Sequence, residues 1–194
     1  MKTNWQYPEP RKGLLGAFDK FVGPGATSTE IILQLGIPFI VLITAPLYAA
    51  AISVEWSFMQ YCLCGLLAFD IAGGVITNST SSAKRWYHRK EQTFSKHFSF
   101  VVLHLFHLLL VSWVYLSLDL LWVGYSGGYL LVAAIIILLV PQYLQRTISL
   151  LFYAIAVLLV LYAFETPYGL EWFLPLFYLK LLVSHLVKEE PYRP

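Results

Sequence analysis

Long apolar stretches, separated by short polar connections, make up most of this chain. They cover about residues 31–52, 56–77, 98–118, 121–140, 147–164 and 170–187. A helix needs roughly 20 apolar residues to cross a hydrocarbon layer about 30 Å thick, because each residue adds about 1.5 Å. We therefore predict an all-α fold, a polytopic membrane helical bundle with six transmembrane helices. Short connections make sequential helices antiparallel neighbours.

The segments outside the apolar stretches complete the predicted domain organisation. Residues 1–30 are predicted to be a cytoplasmic N-terminal segment, residues 31–187 the six-helix transmembrane domain, and residues 188–194 a cytoplasmic tail. Within the first segment, residues 13–22 place their apolar side chains on one helical face. This pattern predicts a short interfacial helix on the inner leaflet, with a tethered loop as the alternative. Residues 1–30 lack the apolar region of a signal peptide, so we expect none.

Basic residues are unevenly distributed among the polar connections. Twelve of the 13 lie before the first stretch, between the second and third, between the fourth and fifth, or after the sixth. The remaining connections carry Glu55, Asp119, Glu165 and Glu171 and no basic residue. Lysine and arginine accumulate on the cytoplasmic side of membrane proteins. We therefore predict that both termini are cytoplasmic, which requires an even number of spans.

Composition supports a membrane protein and excludes other classes. Apolar residues make up 58% of the chain and charged residues 12%, whereas a soluble domain carries about 25% charged residues. A net charge of +2 gives no indication of nucleic-acid binding. Cys62 and Cys64 lie in an apolar stretch and point away from each other on a helix, so we interpret them as apolar packing residues.

Five ionisable residues lie inside the predicted spans, where each is energetically costly and needs a partner or a purpose. By helical rise, Asp70 and Lys180 lie about 10 Å from the inner ends of their helices, and His104 and His107 about 9 and 14 Å. His185 lies about 3 Å from the inner end of the sixth helix. Because all five fall in the cytoplasmic half, we predict one shared site that opens to the cytoplasm.

The residue types at this depth indicate metal or acid–base chemistry. His104 and His107 are spaced i, i+3, so both imidazoles can reach one ion, and Asp70 can complete or orient the set. We predict a divalent metal, zinc or iron, bound by His104, His107 and Asp70. Those three residues and Lys180 form the predicted catalytic set, in which Lys180 holds an anionic group. The predicted substrate-binding residues are Asn78, Arg85, His88, Ser184 and His185.

These patterns leave several functions open. The first is a membrane-embedded enzyme acting on a lipid or another apolar substrate. The second is a small-solute or proton-coupled transporter or channel, since Asp, His and Lys inside a bundle suit proton relays. The third is a structural membrane protein, in which Asp70 and Lys180 form a packing ion pair, or in which His104 or His107 opposes His185 across a haem. The chain contains no Walker A loop or HExxH motif.

The partners and location follow from charge and hydropathy. The basic run within residues 84–96 is expected to contact anionic lipids of the inner leaflet. The lipid bilayer itself is the other expected partner. Short connections and the lack of a signal peptide favour a multi-pass protein of a bacterial inner membrane.

Overall fold

The computed structural model describes residues 8–189, and the described part is entirely helical. Within that range the structure has nine α-helices and one π-helix, and it has no β-strand. Residues 1–7 and 190–194 lie outside the described part. Two basic residues used to predict the orientation, Lys2 and Arg193, are among them, as is most of the predicted C-terminal tail.

The helices follow the apolar stretches closely. In chain order they are α1 (Gly13–Val22), α2 (Ser28–Ala51), α3 (Phe58–Ser79), α4 (Ser81–Tyr87), α5 (Phe94–Leu103), α6 (Leu105–Tyr115), α7 (Leu120–Leu139), α8 (Gln142–Tyr162) and α9 (Phe173–Tyr178), followed by a π-helix (Leu179–His185). The pair α5 and α6 forms one nearly continuous rod. The helical membrane bundle expected from the sequence is confirmed.

Five helical rods are long and apolar enough to cross a membrane: α2, α3, α5 with α6, α7, and α8. The sixth predicted span is shorter, because it consists of six residues of α-helix followed by seven of π-helix. At about 1.5 Å per residue, these reach only about 20 Å. The count of six membrane spans therefore stays a prediction.

Helix starts are encoded by local side chains. Thr27 caps α2 and exchanges hydrogen bonds with Glu30, and Ser57 and Gln60 do the same at the start of α3. The Asp119 carboxylate caps α7 by accepting from the Trp122 backbone N–H at 2.9 Å. Each cap satisfies a backbone donor that helix geometry leaves without a partner.

Connections predicted to lie on the same side of the membrane meet at the same end of the bundle. At one end, the Lys84 ammonium contacts the Val187 carbonyl, and the Lys188 backbone N–H donates to Gln145. At the other end, the Trp122 indole donates to the Glu165 carbonyl at 2.7 Å. Below, the first end is called the basic end, because it carries the α4 region and its cationic residues.

The core lies around α3, α9 and the π-helix. Its largest fully buried side chains include Trp122, Phe173, Phe177 and Tyr178. In contrast, α2 packs mainly along α3 and leaves large apolar side chains on its outer face, for example Ile43 at 59% exposure. An apolar outer surface of this extent is expected where a helix faces lipid.

Helix α1 is docked against the basic end through its C-terminal carbonyls. The Val22 carbonyl accepts from the Gln34 amide and the Ser82 hydroxyl, and the Tyr87 hydroxyl donates to the Phe21 carbonyl. Gly23 follows with φ of +88°, and a Cβ there would lie 2.3 Å from the Ser82 carbonyl carbon. The chain therefore requires glycine at this position for both conformation and close approach.

We predict that Gly23→Ala detaches α1 from α4. The added methyl group would collide with the Ser82 backbone, and alanine is strained at the positive φ of this position. Because a detached α1 exposes the connection to α2, we expect faster proteolytic cleavage there. Gly13→Ala is the matched control, because Gly13 also has a positive φ of +67° but has no atom within 4 Å of the added Cβ. Equal cleavage rates in the two variants would contradict this packing role.

Lys84 is the buried residue that ties α4 to the end of the last helix. It is 4% exposed, and its ammonium donates to the carbonyls of Ser184 and Val187, both at 2.6 Å. A cation at a helix C-terminus compensates carbonyls without intrahelical partners. Burial lowers the pKa of Lys84 from 10.5 to about 8.

We predict that Lys84→Met lowers the thermal midpoint of unfolding in detergent, with a loss on the order of 2–4 kcal/mol for two charged hydrogen bonds. Lys90→Met, at an exposed position, is the control and should have little effect. Because the folded state holds the Lys84 proton less tightly, the contribution of Lys84 to stability rises between pH 8 and pH 10.5. A difference between wild type and Lys84→Met that falls over this range would contradict the pKa assignment.

Candidate functional site

An ion pair and a histidine meet at one carboxylate oxygen in the centre of the bundle. The Lys180 ammonium donates to Asp70 Oδ2 at 2.6 Å, and His107 Nε2 lies 3.0 Å from the same oxygen. Lys180 is 2% exposed, whereas the Asp70 side chain is 46% exposed. A buried ammonium needs such a partner, because an uncompensated charge there costs several kcal/mol.

Two helix irregularities deliver these side chains. The rod formed by α5 and α6 is interrupted at His104, where the hydrogen bonds tighten to i, i+3 on both sides: His104 N–H to Val101 and His107 N–H to the His104 carbonyl. Lys180 lies in the π-helix, and the π-helical carbonyl of Leu182 accepts from the Ser149 hydroxyl at 2.6 Å. Such interruptions are frequent at functional sites, since they redirect side chains.

The hydrogen bonds of the two histidines assign their tautomers. His104 Nδ1 donates to the Phe100 carbonyl at 2.7 Å, which leaves a lone pair on Nε2. His107 Nε2 donates to Asp70, and the buried His107 Nδ1 has no hydrogen-bond partner in the structure. The two imidazoles are stacked, with centroids 5.1 Å apart and planes 8° apart. The nitrogen that His107 turns toward the Asp70 carboxylate is therefore Nε2, while its Nδ1 lies on the opposite side of the ring.

Asp70, His104 and His107 have the geometry of an ion-binding set. Within the described residues, one donor atom from each lies within 4.8 Å of the others. Donors placed about 2.0–2.2 Å from a zinc ion are at most about 4 Å apart, so modest side-chain rotation would close the set on an ion. The bond from His104 to Phe100 is the kind of second contact that orients a metal-binding imidazole.

Gly74 makes room for the lysine. A Cβ at Gly74 would lie 2.2 Å from Lys180 Cε and 2.7 Å from Cδ. The aliphatic part of Lys180 therefore passes directly over the α3 backbone, one turn beyond Asp70. A Cβ at Gly73 would lie 3.1 Å from the Pro38 ring of α2, which is a close but looser approach. The two glycines let the π-helix and α2 approach α3 closely.

A cavity of about 340 Å³ adjoins the cluster; we call it the apolar cavity. Asp70, His104 and Lys180 contribute polar groups to its wall. Most of the remaining lining is apolar or aromatic: Phe21, Leu35, Pro38, Phe69 and Phe100. The participation of Phe21 shows that α1 closes part of this cavity at the basic end. An apolar cavity with a few convergent polar groups is the usual form of a small-molecule site.

A second histidine cluster lies nearer the basic end, where a directed chain of hydrogen bonds links α5 to α3. His97 Nδ1 and His185 Nε2 are 3.3 Å apart, His185 Nδ1 lies 3.3 Å from Asn78 Oδ1, and the Asn78 amide donates to the Gly74 carbonyl. Because that last acceptor is a carbonyl, the Asn78 oxygen faces His185, and each preceding Nδ1 carries the proton. The hydrogen-bond chain ends at the Asn78 amide, which does not ionise. The chain therefore serves to orient the His97 and His185 rings.

The structure brings the four predicted catalytic residues, Asp70, His104, His107 and Lys180, into one cluster. The predicted substrate-binding residues separate. Asn78 and His185 line the apolar cavity, whereas His88 lines a different cavity. Arg85 is buried in α4 and lines neither. The Ser184 hydroxyl lies 3.4 Å from that of Ser79. The catalytic and binding roles themselves stay predictions.

Three residues that matter for the site were not singled out in sequence. Phe100 supplies the carbonyl that orients His104, a contact that a sequence carries no signal for. Ser149 stabilises the π-helix through a carbonyl. Lys84 was read as part of a lipid-facing basic run, whereas the structure buries it. In the sequence, Lys84 follows small residues at the start of a short polar segment, and nothing in that pattern indicates that its side chain is buried.

We predict that Gly74→Ala displaces Lys180 and breaks its bond to Asp70. The expected loss of stability is on the order of 3–5 kcal/mol, the usual result of separating a buried pair. Denaturant titration in detergent measures it. Gly128→Ala is the control, because a Cβ there meets no atom within 4 Å, and alanine in a helix is neutral or stabilising. Equal stability of the two variants would show that Lys180 does not depend on this space.

Comparison with known proteins assigns the chain to no group. No family model matches it, and neither a curated protein nor a solved structure does. The function is therefore inferred from the residues and their geometry.

Proposed function

We propose that this protein is a membrane-embedded enzyme in which Asp70, His104 and His107 bind a divalent metal ion, zinc or iron, next to a cavity for an apolar substrate. The observation that carries the proposal is that one donor atom each from Asp70, His104 and His107 lies within 4.8 Å of the others, with Asp70 and His104 in the wall of the apolar cavity. His107 would bind the ion through Nε2, the nitrogen that faces Asp70, in place of its present hydrogen bond to Oδ2.

The charges around the carboxylate indicate what an ion would do there. Asp70 and Lys180 cancel, and imidazoles that bind a metal are neutral, so a divalent ion would bring two uncompensated positive charges. Such a site favours a bound hydroxide or an anionic oxygen of the substrate over neutral water. Lys180 and His107 both use Asp70 Oδ2, so Oδ1 is the oxygen open to the ion.

The substrate class follows from the lining of the apolar cavity. Apart from the site residues, its wall is largely hydrocarbon and aromatic, and a volume of about 340 Å³ suits a small apolar molecule or part of a lipid chain. Lys180 and the ion would hold the polar group to be attacked, and the apolar wall would hold the remainder. We propose hydrolysis of a lipid or a comparable apolar compound, with water as the second reactant.

Transport is less well supported, because the opposite half of the bundle is packed. There, the Tyr178 hydroxyl donates to the Ser126 carbonyl, and the Trp122 indole donates to the Glu165 carbonyl. Phe173 and Phe177 are fully buried and stack on each other, with centroids 5.5 Å apart. A transported solute needs polar groups along a path to both sides, whereas these polar groups bond backbone within a closed core.

We propose the six-span arrangement with both termini in the cytoplasm for the membrane topology, in a bacterial inner membrane. The grouping of basic connections at one end of the bundle supports it. So does the course of the last segment, which runs from Gly169, packed against Trp56, to Val187, held by Lys84 at the basic end. In this orientation the apolar cavity lies in the cytoplasmic half of the membrane.

The test is the metal content of purified protein. We expect about one zinc or iron per chain, as in sites with three protein ligands, when the protein is prepared in mild detergent without chelator and analysed by elemental mass spectrometry. His104→Ala, His107→Ala and Asp70→Asn should each reduce the content at least tenfold, because two remaining ligands hold a divalent ion weakly.

His97→Ala is the matched control. His97 lies in the same helical rod, seven residues before His104, but it bonds His185 rather than the cluster. Its removal should leave the metal content unchanged. Wild-type protein without metal, or an equal loss in His97→Ala, would contradict the proposal and leave Asp70, Lys180 and His107 as a packing network.

A further inference from the structure

A second, chemically different cavity lies at the basic end; we call it the basic cavity. It has a volume of about 220 Å³, and Arg89, Lys90 and Lys188 contribute three cations to its wall. Among the residues that line it there is no carboxylate. The amides of Gln92 and Gln145 add polar groups. This composition favours an anion.

One of the cations is already held in place. The Arg89 guanidinium lies over the Trp86 ring, 3.8 Å from its centroid, and donates to the Trp86 carbonyl. Its nearest carboxylate, Glu91, is 3.5 Å from Nε and is 68% exposed, so it neutralises Arg89 only weakly. A fixed guanidinium binds a phosphate with little loss of conformational entropy, through several parallel N–H donors.

The surroundings add positive potential. His88 lines the basic cavity, and burial, followed by the nearby charges of Lys84 and other groups, holds the pKa of His88 well below its ordinary value. Two carboxylates stand further out: Glu91 on Arg89, and Glu189, which lies 3.9 Å from Arg146. Neither carboxylate lines the cavity, so its lining residues carry a net positive charge.

One wall of the basic cavity is apolar, formed by Phe94, Leu138 and Leu186. These residues belong to the ends of helical rods, where lipid headgroups meet the hydrocarbon. A ligand that carries a phosphate on an apolar body would match both kinds of wall. The two cavities are separate but adjacent, since His97 lines the basic cavity, His185 lines the apolar one, and their ring nitrogens are 3.3 Å apart.

We propose that the basic cavity is a binding site for a phosphate group, carried either by an anionic phospholipid or by a soluble phosphate compound. Arg89, Lys90 and Lys188 bind the phosphate oxygens, and Gln145 donates from its amide. The Gln92 amide oxygen accepts from the Arg89 guanidinium at 2.9 Å and so holds it in position. This site is distinct from the Asp70 cluster and holds whether or not that cluster binds a metal.

Two measurements on the full chain test it. Inorganic phosphate is titrated into protein in phosphate-free detergent buffer, with heat as the readout. Separately, protein is reconstituted into vesicles of equal parts phosphatidylglycerol and phosphatidylcholine, re-extracted, and examined by native mass spectrometry for retained phosphatidylglycerol. The test variant is Arg89→Gln/Lys90→Gln/Lys188→Gln. The control, Lys12→Gln/Lys96→Gln/Arg146→Gln, removes the same charge from exposed positions outside the cavity.

We expect the test variant to bind at least tenfold more weakly and the control to change less than twofold. Retained phosphatidylglycerol that depends on the cavity residues identifies a lipid headgroup site, and binding of inorganic phosphate alone identifies a soluble ligand. Absence of both, or equal losses in the two variants, overturns the proposal. The metal content should be the same in all three proteins, which separates this outcome from that of the proposed enzyme.

Discussion

The bond between Lys180 and Asp70 is the constraint on which the centre of this bundle depends. An ammonium that is 2% exposed inside an apolar bundle is tolerated only with its carboxylate. Three adjustments surround that pair: a glycine at position 74 lets the lysine pass, a π-helix places it at the required height, and His107 occupies the other side of the same oxygen. Each adjustment departs from regular helical geometry or from ordinary side-chain packing, and all three lie where the polar groups converge.

The same constraint organises the space around the pair. Because Lys180 and Asp70 occupy the contact between α3 and the last helix, the apolar cavity opens beside them, with α2 and α1 as further walls. Toward the basic end, the chain from His97 through His185 to Asn78 separates this cavity from the basic one. The bundle thus holds an apolar compartment with convergent ligands and a cationic compartment at a membrane boundary, divided by oriented imidazoles. At the basic end, Lys84 holds the last turn of the π-helix by donating to the Ser184 carbonyl.

Much of this was readable in the sequence, and the reasons for the exceptions are physical. Apolar stretches gave the helices, because burial in lipid requires long hydrophobic runs, and depth along each helix brought Asp70, His104, His107 and Lys180 to one level. Depth does not specify rotation about a helix axis, so His185 was placed in the shared site with Asp70, whereas it hydrogen-bonds His97 and Asn78. Periodicity also assumes a regular helix. The break at His104 and the π-helix around Lys180 have no sequence signature of their own. The sixth predicted span is also short, because its helical part covers only Phe173–His185.

The most direct test of the central claim is the X-ray absorption spectrum of the purified protein at the zinc and iron edges. Our interpretation requires an ion with two imidazole nitrogens and at least one oxygen donor at about 2.0–2.2 Å. Such a spectrum would identify the convergence of Asp70, His104 and His107 as a metal centre. Protein without either metal, or an ion whose environment lacks imidazole, would contradict it and show that the ion pair and its histidines serve only to hold the helices together.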